Sequence, residues 1–215
     1  MLKLAPALIA GLVGMGGWAV VSVKALPEYF VAGQQYTLEF QVRQHGRNLL
    51  NDLRPRLELR SAERELGTIA ARRSAEGTYS VTFTPPPVDR LFLTIQSGFG
   101  DSQLRLYPMA VVSPGTARPA MSLADRGQAL FVAKGCNTCH ANSDLTNPPE
   151  NRTLTVGPAL GGRHLPPQLV IQKVKQPASQ IMPDLGLTDA EAAAIAAFVS
   201  GGQATTGGRG GRGGR

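Results

Sequence analysis

The pentapeptide Cys136-Asn137-Thr138-Cys139-His140 contains both cysteines of the chain and one of its three histidines. Two thiols at this spacing on one helical turn can reach the two vinyl groups on one edge of a haem. The adjacent imidazole is then placed to serve as an axial ligand of the iron. The motif therefore predicts one covalently bound haem c.

Two other chemistries use similar residues. A redox dithiol also has two cysteines separated by two residues, but it is typical of a βαβ unit, whereas this motif follows an amphipathic helical pattern and precedes a Pro/Gly-rich loop. A zinc site needs four ligands, and only His164 is near enough in the sequence to add one. The residues favour haem and leave both alternatives open.

Three helices are predicted around the motif. Apolar residues at helical spacing begin at Leu123, and further helices fit residues 167–175 and 189–199. Ser122 and Thr188 are the predicted N-caps of the first and third helices. The Pro/Gly-rich segment between those helices is long and irregular, which is typical of a chain that wraps around a group.

With these elements, residues from about 120 to 200 resemble a class I, mitochondrial-type monohaem c-type cytochrome domain. The matching pieces are Gly127, Leu130-Phe131, Gly135 with the Cys/His motif, Gly157-Pro158-x-Leu160, Met182-Pro183, Leu187-Thr188-Asp189-x-Glu191, Ile195 and Phe198. The resemblance implies an all-α domain over residues 122–200, and it implies that Gly127 lets the first helix approach the last near Phe198.

The resemblance also implies the roles of five site residues. Cys136 and Cys139 would form thioethers to the haem, and His140 would be the proximal iron ligand. Met182 would be the distal ligand, and the Pro158 carbonyl would accept a hydrogen bond from the His140 ring. The iron would then be held by His140 and Met182.

Met182 has rivals for the distal position. It is predicted in a loop just before the last helix, where Pro183 keeps its backbone extended. His164 would instead give a haem with two histidine ligands. Met109 and Met121 fall in a predicted strand and a predicted linker. The residues favour Met182.

Residues 26–113 have a different pattern. Apolar and polar residues alternate over 36–42, 57–59, 79–83 and 104–106, and turn residues separate these runs. This pattern predicts an all-β sandwich, and the run from Gly77 to Phe83 resembles a late strand of immunoglobulin-like domains. The region lacks the cysteines and clustered histidines of a copper site. Its fold gives no function by itself.

The N-terminal segment, residues 1–25, is apolar. From Leu4 to Val23 it has no charge, and as a helix this run would be about 30 Å long, enough to span a bilayer. The run predicts a transmembrane anchor. A cleaved signal sequence, with Val23-Lys24-Ala25 as its cleavage site, and a buried core helix are the alternatives. With an anchor or a signal, the rest of the chain lies outside the cytoplasm, where c-type haem is attached.

Charge excludes one class of function. The chain has 22 basic and 15 acidic residues, a net charge of +7, and five of these charges belong to the terminal segments 1–25 and 201–215. A nucleic-acid-binding core would need basic residues clustered on one face. We expect no nucleic-acid partner. Residues 114–121 are a predicted linker, and 201–215 a flexible Gly/Arg tail.

The sequence therefore predicts a multidomain chain made of an N-terminal transmembrane helix, an all-β immunoglobulin-like sandwich and an all-α class I cytochrome c domain. Its expected function is single-electron transfer, as a membrane-tethered carrier or subunit of a respiratory or photosynthetic complex rather than as an enzyme. Redox proteins and membrane lipid are the expected partners, on the periplasmic side. The alternatives are a haem enzyme or ligand sensor with an open axial site, and an assembly protein that acts through its sandwich.

Overall fold

The computed structural model describes residues 17–117 and 119–201. A β region comes first and a helical region follows. The strands are β1 (Ala19–Val23), β2 (Phe30–Val31), β3 (Tyr36–Gln44), β4 (Asn48–Leu49), β5 (Arg56–Arg60), β6 (Glu65–Ala70), β7 (Arg72–Ala75), β8 (Thr78–Phe83), β9 (Arg90–Gln96), β10 (Gln103–Arg105) and β11 (Met109–Val112). The helices are α1 (Leu123–Ala133), α2 (Cys136–Cys139), α3 (Pro167–Lys175) and α4 (Asp189–Val199).

The strands form two sheets. One has the order β1-β3-β8-β7 with β4 beside β3, and the other has the order β2-β11-β9-β5-β6 with β10 beside β9. The described pairs are antiparallel except β2 with β11. Leu38, Phe40 and Val42 alternate along β3 and are buried, as a sheet with one face in the core requires. The all-β prediction is confirmed for this region, and its relation to immunoglobulin-like domains stays a prediction.

Strand β1 overturns the predicted N-terminal transmembrane helix. It pairs with β3, from Ala19 opposite Gln44 to Val23 opposite Phe40, and all five of its residues are buried. A strand covered on both faces does not alternate between apolar and polar residues, so its sequence resembles part of a membrane helix.

The predicted fold class is therefore wrong in its first element. The β region starts at residue 19 rather than at 26. The described residues contain no helix of the length and apolarity that crossing a bilayer requires. Residues 4–16 of the predicted span lie outside the described residues, as do Arg118 of the predicted linker and residues 202–215 of the predicted tail.

The helical region has the predicted helices. Helices α3 and α4 have the predicted bounds, and α1 begins at the predicted residue. The Ser122 hydroxyl accepts a hydrogen bond from the Asp125 backbone N–H at 3.0 Å. Thr188 and Glu191 form a reciprocal capping box at the start of α4. These caps fix where the two long helices begin.

Helices α1 and α4 cross at Gly127, as predicted. A Cβ atom on Gly127 would lie 1.9 Å from the Ala194 carbonyl oxygen and 2.8 Å from the Phe198 Cβ. Phe131 packs edge to face on Phe198 with ring centres 5.5 Å apart. Side chains of these two crossed helices, among them Phe131 and Ile195, line the cavity that the loop segments between α1 and α4 complete.

Candidate haem site

The Cys/His motif follows directly from the end of α1. Gly135 has a φ of 75°, in the left-handed region that favours glycine, and this turns the chain into α2. The single turn α2 begins at Cys136 and ends at Cys139, and neither thiol is in a disulfide. The His140 backbone N–H donates to the Cys136 carbonyl at 2.9 Å. One turn therefore carries both thiols and the imidazole.

The His140 ring is held from one side by the loop that contains Gly157 and Pro158. The ring Nδ1 lies 2.8 Å from the Pro158 carbonyl oxygen. A Cβ on Gly157 would lie 2.4 Å from His140 Cε1, so only glycine leaves room for the ring there. When Nδ1 carries the proton, it donates to this carbonyl and leaves Nε2 as the nitrogen that can bind a metal.

A cavity of about 460 Å³ lies beside this turn. It falls in the size range of cofactor and small-ligand pockets, roughly 300–1,000 Å³. All five sequence-predicted site residues line it: Cys136, Cys139, His140, Pro158 and Met182. Most of the other lining side chains are apolar, from α1, α3, α4 and the loops: Phe131, Val156, Leu160, Leu165, Leu169, Val170, Val174, Ile181, Leu185, Ile195 and Val199. The fold therefore brings together residues that are up to 46 positions apart, from 136 to 182.

The rivals of Met182 lie elsewhere. Met109 is buried in the β region, Met121 is 42% exposed, and His164 is exposed in a loop with a φ of 45°. None of the three lines the cavity. Met182 is thus the one methionine that the described residues place at the cavity.

Sequence reasoning missed three basic residues of the cavity: Lys134, Arg163 and Lys173. No carboxylate lines it among the described residues. The Lys134 side chain is 2% exposed, and its amine lies 2.7 Å from a Glu191 oxygen, so its charge is already paired. Arg163 and Lys173 are therefore the basic residues of the cavity that are available to bind an anionic group. Their positions follow no motif, and nothing in the sequence singles them out.

The two thiols have raised pKa values. Burial raises the pKa of Cys136 to about 12, and the nearby Cys139 raises it further than the Lys134 charge lowers it. Burial also raises the pKa of Cys139. Reactive cysteine pairs instead have lowered pKa values. The described residues also contain no group of three or more His, Cys, Asp or Glu side chains placed to hold a metal ion.

These features fit a haem. The cavity is apolar, as a porphyrin requires, and its two thiols lie on one turn beside an imidazole with a fixed ring. Met182 offers a thioether sulfur. Arg163 and Lys173 have the charge that the two carboxylates of a haem need. The missing Cβ of Gly157 leaves space against the imidazole.

Solved structures show only distant likeness to the chain. The Lin-41 filamin domain is 13% identical, with 42% of this chain and 90% of that chain covered and a TM-score of 0.34. Escherichia coli alpha-2-macroglobulin is 11% identical, with 43% and 8% covered and a TM-score of 0.36. A superoxide reductase from Ignicoccus hospitalis is 20% identical, with 43% and 79% covered and a TM-score of 0.31. At these scores the likeness says nothing about function. No curated protein matches the chain.

A family comparison covers the helical region. Residues 122–199 match the family model described as cytochrome C oxidase, cbb3-type, subunit III. The matched residues include all four helices, the Cys/His motif and Met182. The match therefore supports a c-type cytochrome domain over residues 122–199.

Proposed function

We propose that this chain is a monohaem c-type cytochrome that passes single electrons. Cys136 and Cys139 would hold the haem through thioethers, and His140 and Met182 would be the ligands of its iron. The observation that carries the proposal is that these four side chains and Pro158 line the same cavity. The family match of residues 122–199 supports it independently.

The haem supplies a one-electron couple, and the protein sets how that couple behaves. The Pro158 carbonyl, 2.8 Å from Nδ1, fixes the orientation of the His140 ring and keeps the proton on that nitrogen. Met182 lines the same cavity and would offer its thioether sulfur as the second iron ligand, which would leave no open position for a substrate. The apolar lining keeps water away, and Arg163 and Lys173 balance the haem carboxylates. Such a site carries an electron and does little other chemistry.

The proposed partners are redox proteins. We place the chain as a carrier or redox subunit of a respiratory complex, because the matched family model describes a subunit of an oxidase. A photosynthetic complex would make the same demands on the haem. We further propose that the chain works outside the cytoplasm, where haem c is attached.

The proposal is tested by visible absorption spectra of the full chain, produced in a host that attaches haem c. Oxidised and reduced spectra are recorded for the wild type and for Met182→Ala. Met121→Ala is the matched control, because Met121 is exposed and does not line the cavity. We expect sharp low-spin bands and a methionine–iron charge-transfer band that is lost in Met182→Ala and kept in Met121→Ala.

Two results would contradict parts of the proposal. A wild-type chain that takes up no covalent haem would refute the cytochrome assignment. A high-spin spectrum, or one that Met182→Ala leaves unchanged, would mean an open site or another ligand. A haem enzyme or ligand sensor would then be the better assignment.

A further inference from the structure

The two faces of strand β1 have different surroundings. Ala19, Val21 and Val23 belong to the hydrophobic core cluster. Val20 is 3% exposed, is not part of that cluster, and lines the cavity beside Cys136. Ser22 lies next to Val20 on the same face, since alternate residues of a strand share a face. The outer face of β1 is therefore directed at the cytochrome domain.

The contact at this face is tight enough to exclude a methyl group. A Cβ on Gly135 would lie 2.6 Å from both Val20 Cγ1 and the Val21 carbonyl oxygen, and 3.6 Å from Ser22 Oγ. Gly135 directly precedes Cys136, the first of the two thiols. The β region thus contacts the residue at which the haem-binding turn begins.

Hydrogen bonds hold this contact in place. The buried Lys134 amine donates to the Lys24 carbonyl at 2.6 Å, one residue beyond β1. The Arg126 guanidinium donates to the Pro27 carbonyl at 3.1 Å and to the Leu26 carbonyl. Arg126 lies in α1 and Lys134 is its C-cap. The segment after β1 is therefore hydrogen-bonded to the helix that precedes the Cys/His motif.

A second contact reaches the other ligand segment. The turn between β3 and β4 contains Gly46, and a Cβ there would lie 3.1 Å from the Ile181 carbonyl oxygen. Ile181 precedes Met182. Trp18 and His45 pack against each other at this turn, with ring centres 5.4 Å apart. The β region therefore contacts the residues next to Cys136 and the residues next to Met182.

We propose that the β region is a wall of the haem site, with Val20 as the side chain that closes it and the Gly46 turn as the support of the Met182 segment. This inference rests on the proposed function, since it concerns the haem held by Cys136 and Cys139. It gives the β region a role that its own residues, which contain no chemical motif, do not indicate.

The role of the wall is to exclude water and small ligands from the haem. Burial in an apolar environment disfavours the oxidised, more highly charged iron and therefore raises the reduction potential. A shorter side chain at Val20 leaves a gap that water or a small ligand can enter, and a polar one makes the wall less apolar. Both changes lower the potential.

The test compares neighbouring valines of β1 in the haem-loaded full chain. Val20→Ala removes two methyl groups from the cavity face, and Val21→Ala removes the same groups from the core face. Val20→Thr keeps the volume and adds a hydroxyl, in case the smaller side chain impairs folding. For each variant the reduction potential and the affinity of the ferric haem for imidazole are measured, together with the denaturant midpoint.

We expect Val20→Ala to lower the potential and raise imidazole affinity several-fold, and Val20→Thr to lower the potential. Val21→Ala should lower the denaturant midpoint and leave potential and imidazole affinity at the wild-type values. Equal potentials and affinities in all variants, on a wild type with His/Met spectra, would overturn the wall alone. A wild type without covalent haem would overturn the proposed function, and the wall with it.

Discussion

The crossing of α1 and α4 gives the most direct stability prediction. Gly127→Ala places a Cβ 1.9 Å from the Ala194 carbonyl oxygen, 2.6 Å from its carbon and 2.8 Å from Phe198 Cβ. Two of these atoms are backbone atoms in the middle of α4. They cannot rotate away as a side chain could, so the helices must separate or shift.

The size of the effect is the difference of two terms. An alanine inside a helix is better than glycine by about 1 kcal/mol. Overpacking of a tight core typically costs about 1–3 kcal/mol, and a separation near 1 Å loses a quarter to half of the dispersion energy of each facing pair. Because the clash is with backbone, we take the upper end and expect Gly127→Ala to lower the free energy of unfolding by about 2 kcal/mol.

The assay is urea unfolding of the haem-loaded chain. The far-ultraviolet circular dichroism reports mainly the helices, and the fluorescence of Trp18, the one tryptophan of the chain, reports the contact of the β region with the Ile181 segment. Ala129→Gly in the same helix measures the propensity term alone, and its loss should be about 1 kcal/mol. A Gly127→Ala chain as stable as the wild type, or more so, would refute the close crossing of the two helices.

Two further changes test the surroundings of the ligands. Gly157→Ala puts a Cβ 2.4 Å from the His140 ring, so we expect it to displace the imidazole and broaden the low-spin spectrum; an unchanged spectrum would contradict the contact. Burial raises the pKa of Glu191, but hydrogen bonds from Lys134 and Thr188 outweigh burial, so the pKa lies below its ordinary value of 4.5. A lowered pKa means that this carboxylate stabilises the fold above pH 4.5 and that the gain is lost as pH falls through the folded-state pKa. Glu191→Gln should lower the free energy of unfolding by about 1.5–3 kcal/mol at neutral pH, because it leaves the Lys134 charge buried without its partner. The difference in stability from the wild type should shrink in acid. A difference that does not change with pH would count against the ion pair.

Local sequence patterns predicted the helical region well. The helix bounds at 167–175 and 189–199 and the N-caps at Ser122 and Thr188 agree with the structure. Caps and helical periodicity act within a few residues, so a sequence contains them in full. The Cys/His motif is local in the same way, because its chemistry needs only one turn of chain.

The prediction of a membrane helix is wrong at residues 19–23 for an equally physical reason. A hydrophobic segment is expected to be removed from water, but its sequence does not show whether lipid or other parts of the protein cover it. Strand β1 is covered by the core of the β region on one face and by the cytochrome domain on the other, so all five of its residues are buried and four of them, all but Ser22, are apolar. Neither neighbour is near in sequence: β3 starts at residue 36 and Cys136 is more than a hundred positions away.

The sequence by itself determined the helices and the alternating strands and indicated haem c as the cofactor, because each depends on residues close together in the chain. Only the tertiary structure decided that Met182 lies at the cavity while Met109, Met121 and His164 do not. It also decided that Arg163, Lys173 and Val20 of the β region line the cavity. These assignments depend on which distant segments touch, and contacts between distant segments are set by the packing of the whole fold rather than by any local pattern.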